Sequence, residues 1–188
     1  MKTIAIIGAG PGLGLSLAKK FGEKVFKVAV ISRNPEKLAI IVNELNKLNI
    51  EAKSYVADVK DLTALKQALN AVKQNFGRID VLEFSPNAGP DIFRHVLETN
   101  PANVLEQVNG HLLPAILSVN EVLPDMINNG SGAILFTTGL SAMFPLPFIG
   151  NVGIVMSGLR NYVTNLHIEL KDKGNNRETG YLIAFSTH

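Results

Sequence analysis

The run Gly8-Ala9-Gly10-Pro11-Gly12-Leu13-Gly14 places four glycines within seven residues. Glycines at this spacing do chemistry through the main chain: they let it turn sharply and bring bare N–H groups against a ligand. The preceding residues, Thr3–Ile7, read as a buried strand, and Leu15, Leu17, Ala18 and Phe21 read as the buried side of a following helix. A strand, a glycine turn and a helix start together make a seat for a diphosphate, whose charge meets free N–H groups and the positive end of the helix dipole. A glycine turn without a ligand is the alternative. Other polar residues punctuate the ends of later apolar runs: Ser32-Arg33, Asp58-Val59, Ser85-Pro86 and Thr138, with Asn109 inside a long helical pattern. Arg33 is a candidate anion ligand or a surface residue near the helix starting at Pro35. Asp58, with Asp61, also suits the start of a helix, and the two roles are compatible.

These residues need elements to hold them. Strand-like runs cover Thr3–Ile7, Lys27–Ser32, Glu51–Ala57, Ile79–Phe84, Gly132–Thr138 and Tyr181–Ser186. Helical patterns fall between them at Gly12–Phe21, Pro35–Leu48, Leu62–Phe76, Pro101–Asn128 and Phe148–Lys171. Such alternation predicts an α/β fold: a Rossmann-like, doubly wound parallel sheet of about six strands with helices on both faces, in the order 3-2-1-4-5-6. The polar segment Asp172–Gly180 reads as a solvated loop, and residues 1–188 read as one dinucleotide-binding domain.

Composition narrows the partners. Lys and Arg number 18 against 16 Asp and Glu, so net charge is +2, and neither sign gathers into a run that would contact nucleic acid or a membrane surface. No cysteine is present, which excludes disulfides and thiolate metal sites and fits a reducing, cytoplasmic setting. No targeting segment is read at the start of the chain. Met126–Leu159 carries no charge, but Asn128, Asn129, Gly130, Pro145 and Pro147 break it up. It therefore reads as a central strand, a crevice loop and a helix packed on another subunit, rather than a membrane span.

The glycine spacing fits G-x-x-x-G-x-G through Gly8, Gly12 and Gly14, and this resembles the short-chain dehydrogenase/reductase family. Ser32-Arg33, Ala57-Asp58-Val59, Ile79-Asp80-Val81-Leu82 and Val108-Asn109 match the family in order, from Met1 to about Leu170. The resemblance implies that Gly8, Pro11, Gly12, Leu13, Gly14, Ser32, Arg33, Asp58, Val59, Ser85 and Pro86 bind a nicotinamide dinucleotide. Members that prefer NAD carry an acid at the end of the second strand. Here that position is Ser32, followed by Arg33, which implies NADP, with NAD second. Asp58 and the Val59 backbone would hold the adenine. Asn87-Ala88-Gly89 looks like the family's Asn-Asn-Ala-Gly but is displaced by two residues; in register, that motif falls on Phe84-Ser85-Pro86-Asn87.

The family's chemistry is reduction of a carbonyl, or its reverse, with a serine, a tyrosine and a lysine handling the proton. Those positions fall here on Gly139, Val152 and Met156, none of which carries a proton. Asn109 and Thr138 are the remaining catalytic candidates, and both are weak acids. His111, two residues from Asn109, is expected to point away from it on a regular helix. His95 reads as a loop residue, and Arg160 cannot deliver a proton. The resemblance thus implies either an NADP-dependent oxidoreductase acting on a small carbonyl or alcohol, or a silent dinucleotide-binding sensor or regulatory protein. The family's substrate-covering region and seventh strand have no counterpart before His188, so the crevice is expected to be open. A homodimer or homotetramer through the uncharged helices is expected.

Overall fold

The computed structural model describes residues 1–86, 92–173 and 181–187. Apolar runs become strands β1 (Lys2–Ile7), β2 (Phe26–Ser32), β3 (Ala52–Val56), β4 (Val81–Phe84), β5 (Gly132–Thr138) and β6 (Tyr181–Thr187). All pair in parallel, in the order β3-β2-β1-β4-β5-β6. Chain direction reverses its march between β1 and β4, and at that switch point the loops at the strands' carboxyl ends part to leave a crevice.

Both faces of the sheet are covered. α1 (Leu13–Gly22) and α2 (Pro35–Lys47) lay Leu15, Ala18, Leu38, Ile41 and Leu45 on Ile4, Ile6, Val28 and Val30. On the other face, α3 (Leu62–Phe76), α5 (Leu113–Asn128) and α6 (Gly150–Lys173) bury Leu69, Val119, Val152 and Leu159 against Ala5, Ile7, Leu82 and Phe84. Each fully buried Ile or Leu stabilises the fold by roughly 1.5–3 kcal/mol, which is why the central strands are apolar on both sides.

Local chemistry sets the boundaries. Asn34 caps α2 by accepting the Lys37 N–H at 2.8 Å, with Pro35 in the first turn. Asp61 caps α3 by accepting the Ala64 N–H at 2.9 Å. β4 begins at Val81, later than the apolar run suggests, because the Asp80 carboxylate turns to accept the Thr3 N–H at 2.8 Å and the Arg78 Nε–H at 2.7 Å.

The helical pattern Pro101–Asn128 is not one regular helix. It divides into α4 (Pro101–Gln107), a π turn at Val108–Leu112, and α5. Pro114 explains the break: it has no N–H to offer the Gly110 carbonyl four residues earlier, and its ring would press on that carbonyl in a regular helix. Widening the helix by one residue relieves both problems. The uncharged stretch after α5 forms β5, two short 3-10 turns at Leu140–Ala142 and Pro147–Ile149, and the start of α6. Among the described residues, no helix is long and apolar enough to cross a membrane.

Candidate dinucleotide site

A cleft of about 410 Å³ opens at the carboxyl edge of β1, β2 and β3. Gly8, Gly10 and Pro11 form one wall, Ser32, Arg33 and Lys37 a second, and Asp58, Val59 and Lys60 a third. Gly8 has φ +88°, and a Cβ there would stand 2.5 Å from the Pro86 Cα, so only glycine fits. This lets the turn cross tightly over the end of β4. Gly12 is the opposite case. It caps α1 with nothing within 4 Å of a Cβ position, so the space beside the helix start is free. The Leu15 and Ser16 N–H groups are taken by the Gly10 and Gly12 carbonyls. Those of Leu13 and Gly14 have no acceptor among the described residues, and together with the dipole of α1 they suit a diphosphate.

At the second wall, β2 ends in Ser32 with no carboxylate beside it. Arg33 is exposed, and neither Arg33 nor Lys37 has an ion-pair partner among the described residues. Lys37 was missed in the sequence, although it lies four residues beyond Arg33 and shares its helix end. At the third wall, the Asp58 Oδ1 accepts the Lys60 N–H at 2.9 Å while Asp61 caps α3, so the helix-start role foreseen for this pair falls to Asp61. Lys60 reaches Glu106 of α4 at 3.1 Å.

Through Gly8, Gly10 and Pro86 the cleft continues into a crevice of about 470 Å³. Leu13, Gly14 and Ser85 line its near side, Thr137, Thr138 and Gly139 its floor, and His111, Val152 and Met156 its far side. Predicted residues Gly8, Pro11, Ser32, Arg33, Asp58, Val59 and Pro86 thus line the cleft, Leu13, Gly14, Ser85 and Thr138 line the crevice, and Gly12 lines neither. Asn109 requires a correction: it is exposed and lines neither space, whereas Gly110 and His111 turn inward. His111 does point away from Asn109, and that is what brings it to the crevice. Asn87-Ala88-Gly89 lies outside the described residues.

Two titratable groups complete the site. The His111 Nδ1 lies 3.3 Å from the Gln107 carbonyl. Burial, with a smaller contribution from Lys60, lowers the imidazole's pKa against the raising effect of that hydrogen bond. Beneath the crevice edge, Glu83 of β4 is 1% exposed, between Ile6 of β1 and Leu135 of β5 in register. The hydroxyls of Ser85 and Thr137 donate to its carboxylate at 3.0 and 3.2 Å. Burial outweighs these two bonds and its pKa is pushed up to about 7. No grouping of His, Asp and Glu among the described residues suits a metal ion.

A family model described as short chain dehydrogenase matches residues 2–174. The chain belongs to the short-chain dehydrogenase family. Its curated relatives include a very-long-chain 3-oxoacyl-CoA reductase of Macaca fascicularis, 26% identical over 176 residues that cover 90% of this chain and 54% of that protein. A ketoacyl reductase of Nostoc sp. is 27% identical over 175 residues, covering 93% and 60%. The chain spans about half the length of the first of these relatives. Among solved structures, a short-chain dehydrogenase from Rhodopseudomonas palustris superposes with TM-score 0.82 at 27% identity, covering 97% of this chain and 84% of that one. A metagenomic short-chain oxidoreductase in complex with NADP gives TM-score 0.87 at 22% identity, covering 99% and 81%, a likeness of fold. In this short-chain dehydrogenase Gly139, Val152 and Met156, which stand where the resemblance expects serine, tyrosine and lysine, all line the crevice.

Proposed function

We propose that this short-chain dehydrogenase holds NADP(H) along the cleft and acts as an oxidoreductase on a small carbonyl or alcohol in the crevice. The observation that carries the reading is one continuous space. It runs from Arg33 and Lys37, with no acid at the end of β2, past the free helix start of α1, to the crevice at β4 and β5. A guanidinium and an ammonium suit the 2′-phosphate that distinguishes NADP from NAD. The Leu13 and Gly14 N–H groups would take the diphosphate, and Asp58 the adenine. When bound, the dinucleotide supplies or receives the hydride; the chain's residues hold it, orient the substrate and handle the proton. That the dinucleotides in solved relatives include NADP and NADPH supports this choice. The test is oxidation of NADPH by the purified chain over a panel of aldehydes and ketones: turnover above background is expected, and its absence contradicts an enzymatic role.

A second reading has its own support. Gly139, Val152 and Met156 offer the crevice no hydroxyl, phenol or amine, which favours a silent NADP(H)-binding sensor or regulatory protein. Tight NADPH binding without turnover would select it. We further propose a homodimer or homotetramer, supported by exposed Leu113 and Ile127 of α5 and Ile154 and Ile168 of α6. A cytoplasmic setting belongs to the same reading, supported by the cysteine-free sequence.

A further inference from the structure

Moving a proton in the crevice requires a side chain that titrates near neutral pH and touches the reacting oxygen. Among the described residues that line it, His111 alone qualifies. It lies within the π turn at Val108–Leu112. In a regular helix, residues two apart face nearly opposite ways; here Asn109 faces solvent while Gly110 borders the cleft and His111, 6% exposed, borders the crevice. Such single widened turns stand frequently at functional sites.

The ring's protonation follows from its one partner. The Gln107 carbonyl only accepts, so Nδ1 at 3.3 Å carries the hydrogen and Nε2 keeps its lone pair. Nε2 has no hydrogen-bond partner among the described residues. The surrounding elements bring almost no charge: Val152 and Met156 from α6, Thr138 from β5 and Phe93 from the preceding segment. Among the described residues Lys60 is the charge that acts on the ring, and it is itself paired with Glu106. The neutral imidazole therefore prevails at neutral pH.

Resting on the oxidoreductase reading above, we propose that His111 is the acid–base residue of this crevice, its Nε2 exchanging a proton with the oxygen of the alcohol or carbonyl substrate. In the oxidative direction the substrate O–H bond breaks and Nε2 gains the proton. The freed electron pair would become the second carbon–oxygen bond, with oxidised NADP, when bound, supplying the acceptor for the hydride that the carbon gives up. The imidazolium then returns the proton to water. In the reductive direction each transfer reverses, and the carbonyl oxygen takes its proton from Nε2.

Two measurements on the full chain test this. Nitrogen NMR of the histidine rings, with the His111 signal identified by its loss in His111→Gln and His111→Asn, is followed as NADPH is added. Expected are a proton on Nδ1 at neutral pH, a titration midpoint below the ordinary 6.5, and a change in that midpoint when NADPH binds. A ring protonated on Nε2, or a titration that bound NADPH leaves unmoved, would overturn the assignment. In turnover, His111→Gln is expected to lose at least about 100-fold in kcat. It should also lose the pH inflection of the native protein while holding NADPH within about threefold of native affinity. Activity within twofold of native, with the same pH profile, overturns the proposal. Calorimetry separates this from failure of the underlying reading: absence of NADPH binding overturns the cleft assignment and this proposal with it, whereas binding without turnover of any substrate overturns the enzymatic reading and the role of His111 but not the cleft.

Discussion

Arg33 and Lys37 make the cleft's electrostatic choice, and the choice is measurable one side chain at a time. A charge-assisted hydrogen bond contributes roughly 1.5–3 kcal/mol, so Arg33→Ala is expected to weaken NADPH binding by about 10- to 100-fold and leave NADH binding nearly unchanged in parallel titrations. Equal losses for both dinucleotides would remove Arg33 from the 2′-phosphate. Glu83 makes a prediction about stability. Its folded pKa of about 7 lies above the ordinary 4.5, so the folded state holds this proton more tightly than the unfolded chain. Stability should therefore fall as pH rises from about 4.5 to about 7 and level off above, by an amount on the order of 3 kcal/mol. Glu83→Gln should abolish that decline and unfold at higher urea than the native chain at pH 8; an unchanged pH dependence would contradict the burial of an uncompensated carboxyl. Of these residues Arg33 was legible in the sequence because it follows a strand directly. Glu83 left a signal, an acid among the apolar residues Val81, Leu82 and Phe84, but which hydroxyls would meet it depends on Thr137 arriving from β5, 54 residues away.

Among the elements, the turn between β1 and α1 separates structural from ligand-facing glycines. Gly8→Ala puts a side chain at φ +88° and against the Pro86 backbone, so it should cost at least about 2 kcal/mol and lower the melting temperature by roughly 4–8 °C. Gly12→Ala meets no atom of the protein and should cost under about 1 kcal/mol. It should nonetheless weaken NADPH binding at least tenfold, because the methyl group occupies the space beside the helix start. Thermal unfolding and calorimetry on the two variants check this contrast. Element boundaries were readable wherever a capping residue or proline marks them: α3 runs over Leu62–Phe76 and β5 over Gly132–Thr138, as the pattern suggests. The break at Val108–Leu112 was not readable, because apolar spacing on both sides suits one helix and the π turn arises from the missing N–H of Pro114. Within that turn Asn109 is exposed while His111 lines the crevice.

For the whole molecule, the order of the six strands was legible from the alternation of strand and helix runs together with the right-handed crossover that parallel neighbours require. Assembly depends on faces that a single chain does not cover. If α5 and α6 pack on a second copy, Ile154→Glu, at a position 55% exposed, should shift sedimentation from dimer or tetramer toward monomer with little change in melting temperature at low concentration. A native chain that sediments only as monomer at high concentration would contradict the assembly. The central claim, that one cleft from Arg33 to Gly14 seats a phosphorylated dinucleotide, is tested most directly by calorimetric titration of the chain with NADPH and NADH side by side. The account expects one site per chain with NADPH bound about 10- to 100-fold more tightly; no heat with either dinucleotide, or tighter binding of NADH, would contradict it.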